Sequence, residues 1–381
     1  MIKKKLFFFF ILIFFINLNA KEVLLLGNPY SKYYKDNENI YARNIWDMQF
    51  FEGKIYLGAG NSSNIGPAQN AGRVTIISFN PKTEKFEYEY EVAEEQIDIF
   101  KVYNNRLYVP GHDATQKWTY GNIYKKEKDK WEKYRTLPKA LHVYDLVEKD
   151  EQLFTSIGLL GNSAVLISDL AASTWKEILH GRGRVYSFML LEDKLFAIKT
   201  FKKQVPTELS ITQWIKEKEI FSSRFDLNVN RMFPNTKLEK KMIKIIKTTI
   251  LKSGNLYIGA YTHNDHQNLP FGLYFISNDL LINKVELKKN EIPRDIIVRE
   301  NKVYVLVSDK NKNIIYSFEF KNDNYKINKI LSFSYKTFAR SFEKYDNCFY
   351  FGMGSEIKNP KKWDLKELKI ETGDILKVCN D

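Results

Sequence analysis

Histidines are rare in this chain, and most of them stand beside acidic or aromatic residues. The sequence has five histidines among 381 residues, and three short segments hold four of them: His112-Asp113, His142-Val143-Tyr144-Asp145 and His263-Asn264-Asp265-His266. An imidazole next to a carboxylate or a phenol can accept or donate a proton near neutral pH. These segments are therefore candidates for acid–base chemistry, although a loop histidine is more often a solvated surface group.

The third of these segments also has the chemistry of a metal ligand set. His263, Asp265 and His266 supply nitrogen and oxygen donors, but they lack the i, i+4 spacing that places two histidines on one helix face. The sequence contains no phosphate-binding loop, no Gly-x-Ser-x-Gly elbow, no His-Glu-x-x-His helix and no Cys-x-x-Cys pair. We expect no cofactor, and we retain these three residues as the one candidate metal set.

Guanidinium and aromatic groups are the other candidate binding groups. Arg184, Arg294 and Arg340 can each bind a carboxylate or a sulfate through two parallel hydrogen bonds. Three aromatic residues can stack on a sugar ring, or else pack between structural elements: Trp46, Tyr144 and Tyr186.

A sequence motif that recurs seven times along the chain must position all these residues. Each copy consists of a turn residue, an apolar–aromatic pair and a short strand, as in Gly53-Lys54-Ile55-Tyr56-Leu57-Gly58. The aromatic residue of each copy is called its anchor here. The anchors lie 42 to 61 residues apart, which is the spacing of four-stranded propeller blades. They are Tyr56, Tyr108, Phe154, Phe196, Tyr257, Tyr304 and Tyr350.

A second set of positions lies at a nearly constant distance before the anchors. A short polar residue stands nine residues before each anchor, or ten before the second: Asp47, Asp98, Asp145, Ser187, Thr248, Asp295 and Ser341. A strand, a tight turn and a returning strand fill nine residues. Each copy therefore predicts two inner strands, A and B, and later hairpins supply strands C and D. The sequence predicts an all-β fold, a single seven-bladed β-propeller of four-stranded blades over residues 21–381.

The closure of the ring stays open at this stage. A strand at residues 22–26 could close the ring by adding to a terminal blade, but residues 365–370 and 375–378 already read as strands C and D of the last repeat. Cys348 and Cys379 both fall in the last repeat, and an exported protein can pair its cysteines. Whether they pair stays open, and the expectation that the strands carrying them are not neighbours counts against a disulfide.

Residues 1–20 are predicted to be a secretory signal peptide. A basic start is followed by an unbroken apolar run at residues 6–16, and Ala20 is the small residue that a signal peptidase requires. A retained membrane anchor is the alternative, but no second long apolar stretch follows. We expect a periplasmic or secreted protein.

The chain is basic, with 59 Lys and Arg against 46 Asp and Glu and a formal charge of +13. The lysines lie in short mixed runs that are typical of solvated turns rather than of a track for a polyanion. We therefore expect no nucleic-acid partner, and we expect a monomer.

One hairpin resembles a known motif. In residues 167–175, Ser168, Thr174 and Trp175 match the pattern Ser-x-Asp-x-Gly-x-Thr-Trp, while Leu170 and Ala172 replace its Asp and Gly. This resembles a degraded Asp-box, the hairpin motif of sialidase-like propellers. The resemblance implies the fold and a structural role. Sialidases have six blades and an arginine triad, so seven anchors count against that activity.

The predicted fold places a site on one face. The start of strand A and the loop after strand B share a face, which receives Asp47, Asp98, Asp145 and Asp295 near the channel mouth, with Asp113 in a loop there. Each aspartate at a strand start either bonds backbone N–H groups in the turn before its strand, or joins a carboxylate ring that holds a cation or a substrate hydroxyl.

Two functions fit this face. The first is non-catalytic binding of a glycan, or of an envelope or extracellular protein. The alternative is a glycan-active enzyme, either a hydrolase that uses two aspartates or a lyase. In a lyase, Arg184 or Arg294 neutralises a uronic carboxylate, and His142 or Tyr144 abstracts the proton. The further catalytic candidates are His112 and Asp145.

Overall fold

The chain forms seven four-stranded antiparallel sheets arranged in a ring, which confirms the predicted seven-bladed β-propeller. This computed structural model describes residues 22–64, 68–159, 162–201, 209–239, 241–263, 267–321, 324–356 and 368–380. The predicted signal peptide lies outside the described residues. So do Asp265, His266 and the side chain of His263, which made up the candidate metal set.

The strands follow one another blade by blade. The first strand of the chain is β1 (Leu24–Gly27). Blade 1 contains β2 (Asp47–Phe51), β3 (Lys54–Gly58), β4 (Val74–Asn80) and β5 (Lys85–Val92). Blade 2 contains β6 (Lys101–Tyr103), β7 (Arg106–Pro110), β8 (Tyr120–Glu127) and β9 (Lys130–Pro138). Blade 3 contains β10 (His142–Lys149), β11 (Gln152–Gly158), β12 (Asn162–Asp169) and β13 (Lys176–Arg182).

The remaining blades repeat this order. Blade 4 contains β14 (Arg184–Leu191), β15 (Lys194–Thr200), β16 (Leu209–Ile215) and β17 (Ile220–Ser223). Blade 5 contains β18 (Met242–Leu251), β19 (Gly254–His263), β20 (Gln267–Ser277) and β21 (Ile282–Val285). Blade 6 contains β22 (Ile292–Arg299), β23 (Lys302–Asp309), β24 (Lys312–Lys321) and β25 (Asn324–Ser334). The C-terminal strands are β26 (Phe338–Tyr345), β27 (Cys348–Gly354) and β28 (Ile375–Cys379).

Helices are short in the described ranges, and none has the length and apolar character needed to cross a membrane. Two 3₁₀ helices span Asn37–Arg43 and Lys216–Lys218. An α-helix, α1 (Val229–Met232), lies between blades 4 and 5, and the Asn228 side chain caps its first turn.

The recurring turn residues explain the inner hairpins. Strands A and B of every blade are joined by two residues, and in several blades both have positive φ, as in Glu52-Gly53 and Asn104-Asn105. Two-residue turns of this kind match the right-handed twist of the strands. The turn therefore precedes each anchor at a nearly constant distance, which is why the repeat is visible in the sequence.

The anchors form the core between neighbouring blades. All seven are at most 5% exposed. The Tyr56 ring contacts Phe100 and Trp131 of blade 2, and the Phe154 ring contacts Trp214 of blade 4. Because each blade covers the apolar face of the next, the core becomes continuous only in the complete ring.

The N-terminal strand closes the ring. Blade 7 has the order β26-β27-β28-β1, so β1 supplies its outer strand and the C-terminal segment supplies the three inner ones. Residues 375–378 form a strand as predicted, but as strand C rather than D, and residues 365–367 of its predicted partner strand lie outside the described residues. Residues 368–374 turn instead of extending, with Gly373 at φ +91 and the Thr372 N–H donating to the Lys369 carbonyl, and β28 pairs directly with β27.

The expectation that the strands carrying the cysteines are not neighbours is wrong for the same reason. Since β27 and β28 are neighbours, Cys348 and Cys379 are cross-strand partners, and they form a disulfide. This bond joins the last strand of the chain to the middle of blade 7.

Candidate functional site

Two rings of side chains surround the channel at the start of the A strands. Each strand A contributes one residue to the first ring, which we name the inner ring. This residue stands four positions before the last residue of its strand A. The members of the inner ring are Asp47, Ile99, Asp145, Ser187, Lys247, Asp295 and Ser341. The predicted positions Asp98 and Thr248 are therefore each displaced by one residue from the true equivalents.

Lys247 closes the channel at the inner ring. Its Nζ lies 2.7 Å from Asp47 Oδ1 and 2.9 Å from Asp295 Oδ1, so a lysine of blade 5 joins blades 1 and 6. Burial alone would lower the pKa of Lys247, but the two carboxylates outweigh it and raise that pKa. Lys247 lines both the mouth above and a cavity of about 350 Å³ below.

The inner-ring aspartates also join neighbouring blades. The N–H groups of Phe100, Phe188 and Phe342 donate to Asp47, Asp145 and Asp295 at 2.7, 2.8 and 3.2 Å. Each acceptor is 2% exposed. Backbone bonding was one of the two predicted roles, although the donor belongs to the next blade rather than to the preceding turn. The cation held between Asp47 and Asp295 is an ammonium group of the chain itself.

The residues directly before the inner ring form a second layer, which we name the mouth ring. All seven line the same cavity, of about 110 Å³: Trp46, Asp98, Tyr144, Tyr186, Ile246, Arg294 and Arg340. In blades 3 to 7 this residue is the extra one of a β-bulge, as at Tyr144 between Val143 and Asp145. A bulge re-aims a side chain that would otherwise alternate along the strand. The bulges therefore turn these residues to the mouth.

Two arginines of the mouth ring are held in fixed positions. Arg294 Nε donates to Ser308 Oγ at 2.7 Å, and Nη1 donates to Glu356. Arg340 Nε donates to Asn44 Oδ1 at 3.1 Å, and Nη2 donates to the Ser355 carbonyl at 2.6 Å.

Aromatic rings separate and flank the two guanidinium groups. The Phe338 ring lies between them, with its centroid 4.0 Å from Arg294 Cζ and 5.3 Å from Arg340 Cζ. The Trp46 ring lies 4.4 Å from Arg340 Cζ on the other side.

The guanidinium groups keep hydrogen-bonding capacity for a ligand. Within the described ranges, Arg294 Nη2 and Arg340 Nη1 donate to no acceptor. Burial lowers the pKa of Arg340, which reports that its charge is partly removed from water. A partly desolvated, rigid guanidinium with donors to spare is suited to a carboxylate or a sulfate.

A histidine and two tyrosines form the opposite wall of the mouth. His112 Nδ1 lies 2.8 Å from Asp98 Oδ2. The His112 and Tyr144 ring centroids are 5.8 Å apart, and those of Tyr144 and Tyr186 are 4.7 Å apart. Lys244 Nζ lies 4.3 Å from the centroid of the Tyr186 ring. The mouth therefore combines cations, an imidazole and aromatic faces.

The Asp98–His112 pair determines the state of the imidazole. Burial alone would lower the pKa of His112, but the charge and hydrogen bond of Asp98 outweigh it and raise that pKa. Burial alone would raise the pKa of Asp98, and His112 holds it well below its usual range. Because Nδ1 faces Asp98, Nε2 is the ring nitrogen that can exchange a proton with a ligand.

Four predicted site residues do not line the mouth. His142 lies behind His112, with its Nδ1 2.9 Å from the His112 carbonyl oxygen and 3.7 Å from Asp113 Oδ1. Asp113 is buried, which raises its pKa to about 6. Arg184 Nη1 donates to the carbonyls of Leu159 and Asn162, both at 2.9 Å.

The fourth of these residues, Asp145, is part of the inner ring. Lys101 Nζ lies 3.0 Å from Asp145 Oδ1. Its carboxylate is engaged in holding blades 2, 3 and 4 together and does not reach the mouth cavity.

Two lysines of the site were missed in the sequence. Lys244 and Lys247 both lie on β18 and both line the mouth. Lys247 stands immediately before Thr248, the position that counting from the anchor selected. The hairpin of blade 5 is longer, so its anchor lies one residue farther from the inner-ring position than in the other blades. In the described part of the chain, no group of three or more His, Cys, Asp or Glu is arranged to hold a metal.

The hairpin that resembles an Asp-box has a structural role. It joins β12 and β13, where Asp169 Oδ1 accepts from the Ala171 N–H at 3.1 Å and Trp175 Nε1 donates to Thr136 Oγ1 at 2.9 Å. The hairpin ties blade 3 to blade 2. Of the resemblance to sialidase-like propellers, only the β-propeller fold is therefore confirmed.

Known proteins resemble this chain in fold. No protein-family model matches it, and no curated protein matches it in sequence. A structure of the mitotic checkpoint complex is 10% identical, with a TM-score of 0.54 over 100% of this chain and 99% of that chain. PorZ, a surface component of the type-IX secretion system of Porphyromonas gingivalis, is 11% identical, with a TM-score of 0.52 over 88% of this chain and 46% of its own.

An enzyme is also among these structures. The polysaccharide lyase Uly1 is 8% identical, with a TM-score of 0.50 over 90% of this chain and 91% of that chain. At such identities the shared feature is the β-propeller scaffold, on which unrelated functions occur.

Proposed function

We propose that this protein binds an acidic glycan at the channel mouth, through a carboxylate or sulfate group of one sugar unit. The observation that carries the proposal is the pair of guanidinium groups of Arg294 and Arg340. They are fixed by protein acceptors and separated by the Phe338 ring, and each has an Nη group without an acceptor among the described residues. Lys244 adds a third cation to the same cavity.

The dimensions and lining of the mouth favour a glycan over a protein partner. A cavity of about 110 Å³ accepts one small group rather than the buried aromatic anchor of a protein interface. The half-buried rings of Trp46 and Tyr186 offer faces for the sugar that carries the charged group.

We also propose that the protein works outside the cytoplasm. The disulfide between Cys348 and Cys379 supports this location, because structural disulfides persist in oxidising compartments. The apolar run at residues 6–16 fits the same route. Mass spectrometry of the protein isolated from the native cell envelope tests it, since a chain that still begins at Met1 contradicts a cleaved signal.

Replacing Lys244 with glutamine is expected to weaken binding of an acidic oligosaccharide by at least about tenfold, because a charge-assisted contact is lost. Calorimetric titration with galacturonate, glucuronate and sulfated oligosaccharides measures the affinity, and neutral oligosaccharides of equal length test the charge requirement. Lys252→Gln is the matched control, because Lys252 is exposed at the turn of the same hairpin on the opposite face. Equal affinity for neutral and acidic sugars would contradict the proposal.

A lyase reaction is the second candidate, and the Asp98–His112 pair favours it. His112 Nε2 would take the proton from C5 of a uronate whose carboxylate is neutralised by Arg340. The C5–H electron pair would form the C4=C5 double bond as the C4–O bond breaks, and the Tyr186 hydroxyl would protonate the leaving oxygen. Tyr144 is less suited to that step, because its hydroxyl lies against Gly158 and Arg184.

In this reaction His112→Gln is expected to lower turnover at least about a hundredfold, the usual contribution of a positioned base. The absorbance of the new double bond measures turnover on uronate polymers. Turnover of the wild type should increase as pH rises through the pKa of His112, which lies above its ordinary value, because only neutral imidazole accepts the proton. His180→Gln changes an exposed histidine on β13 and serves as the control. Binding without any absorbing product would leave the protein a binding module.

A further inference from the structure

A second cavity opens on the same face, between blades 6 and 7. It has a volume of about 810 Å³ and is lined by residues before β22 and β26, by the turn between β23 and β24, and by residues that follow β27. We propose that this cleft is a second subsite, which binds further units of an acidic glycan chain whose first charged group is in the mouth. The proposal rests on the proposed function of the mouth.

The cleft adjoins the mouth, and a shared side chain lies between the two cavities. Arg294 lines both cavities. Phe338 lines the cleft and contacts both mouth arginines, so its ring forms the wall between the two spaces. Arg294 can therefore contact a ligand group in either space, and a chain that occupies both would pass the edge of the Phe338 ring.

The charges of the cleft suit an acidic chain. Lys310, Lys336 and Lys369 line it and are exposed. Within the described ranges Lys310 and Lys369 form no ion pair, and Lys336 pairs with Glu371 although its side chain is 74% exposed.

Two of the three acidic side chains that line the cleft are engaged within the protein, and Asp309 is the third. Glu356 accepts from Arg294, and Glu291 accepts from the Tyr316 hydroxyl at 2.7 Å and from the Lys288 N–H at 3.0 Å. The three exposed lysines thus outnumber the one carboxylate, that of Asp309, which has no ion pair within the described ranges.

The volumes of the two cavities predict a ligand of several units. The mouth has room for one small group, whereas the cleft falls within the range of about 300–1,000 Å³ that is typical of ligand sites. A single uronate would use the mouth alone. A polymer would use both spaces, so affinity should increase with chain length.

The test compares chain lengths in the whole protein and in two triple variants. Calorimetric titration uses monomers, tetramers and octamers of galacturonate, of hyaluronan and of a sulfated glucosamine–uronate polymer. Lys310→Gln, Lys336→Gln and Lys369→Gln are combined in the cleft variant. Lys82→Gln, Lys128→Gln and Lys252→Gln are combined in the control, which removes the same charge from exposed turns of the opposite face.

The cleft variant is expected to bind the preferred octamer about tenfold more weakly than the wild type, while its affinity for the monomer is unchanged. The control should bind all lengths like the wild type. Affinity that does not depend on length, or an equal loss in both variants, would overturn the second subsite but leave the mouth in place. Absence of binding to every acidic glycan would overturn the proposed function, and with it the subsite.

Discussion

Replacing Lys247 with methionine is expected to lower the free energy of unfolding by about 3–5 kcal/mol, because two buried carboxylates lose their cation. Lys247 Nζ lies 2.7 Å from Asp47 and 2.9 Å from Asp295, and both aspartates are 2% exposed. Methionine keeps much of the apolar stem of the lysine, so the change removes mainly charge. Denaturant unfolding of the purified protein measures the difference.

Two further variants separate the loss of charge from other effects. Lys252→Met removes an exposed ammonium from the turn of the same hairpin and is expected to stay within about 0.5 kcal/mol of the wild type. Adding Asp295→Asn to Lys247→Met removes one of the two carboxylates and should recover part of the loss. The asparagine oxygen can still accept from the Ile296 N–H, which donates to Asp295 at 2.8 Å. A Lys247→Met protein as stable as the wild type would show that the ion pair does not hold the ring.

The loss of folding stability in Lys247→Met is also expected to depend on pH and to be larger at higher pH. Burial and the charge of Asp47 raise the pKa of Asp295 to about 6 in the wild type, above that of an unfolded aspartate, about 3.9, and loss of the ammonium raises it further. The native variant then binds a proton at Asp295 more tightly than its unfolded state, so its stability increases as pH falls toward the pKa of Asp295. The difference in melting temperature from the wild type should be larger at about pH 8 than at about pH 5.

The fold could be predicted because its signals are local. The two-residue turns, such as Glu52-Gly53, need residues that tolerate positive φ, and they precede each buried anchor at a nearly constant distance. Turn and anchor are close together in the chain, so they remain visible in one sequence. Seven copies then specify the ring, because a single blade cannot cover both of its apolar faces.

The site could be predicted only in part, because its register depends on β-bulges. Several residues that the sequence singled out do line the mouth: Trp46, Tyr186, Arg294 and Arg340. They line it because each directly precedes an inner-ring residue. A bulge inserts one residue without changing the alternation of apolar and polar residues elsewhere. The inner-ring position of blade 5 was misplaced for a different reason: its longer A–B hairpin puts the anchor one residue farther from Lys247 than in the other blades, and Lys247 was missed.

The seam of the ring could be predicted only as one open alternative, because its partners are distant in sequence. β1 pairs with β28 through Leu24–Lys377, Leu25–Leu376 and Gly27–Ile375. Nothing local in residues 22–26 indicates which strand lies beside them. The same holds for Cys348 and Cys379, whose pairing follows from strand order rather than from spacing.

Replacing both Cys348 and Cys379 with serine is expected to lower the free energy of unfolding by about 3–4 kcal/mol, since the bond closes a segment of 31 residues. Part of that stabilisation comes from restricting the unfolded chain. In the folded protein the two cysteines are cross-strand partners on β27 and β28. The effect is concentrated at the seam, because β28 is the strand on which β1 closes the ring. Denaturant unfolding under oxidising conditions measures it.

A reducing agent provides the control for this prediction. It should destabilise the wild type by a similar amount and leave the double-serine variant unchanged, because only the wild type has a bond to break. Serine in place of a buried thiol adds a small polar cost of its own. That cost remains in the variant under reducing conditions, so the reduced wild type should be slightly more stable than the variant. If reductant leaves the stability of the wild type unchanged, the disulfide contributes nothing, and the pairing of β1 with β28 must hold the seam without it.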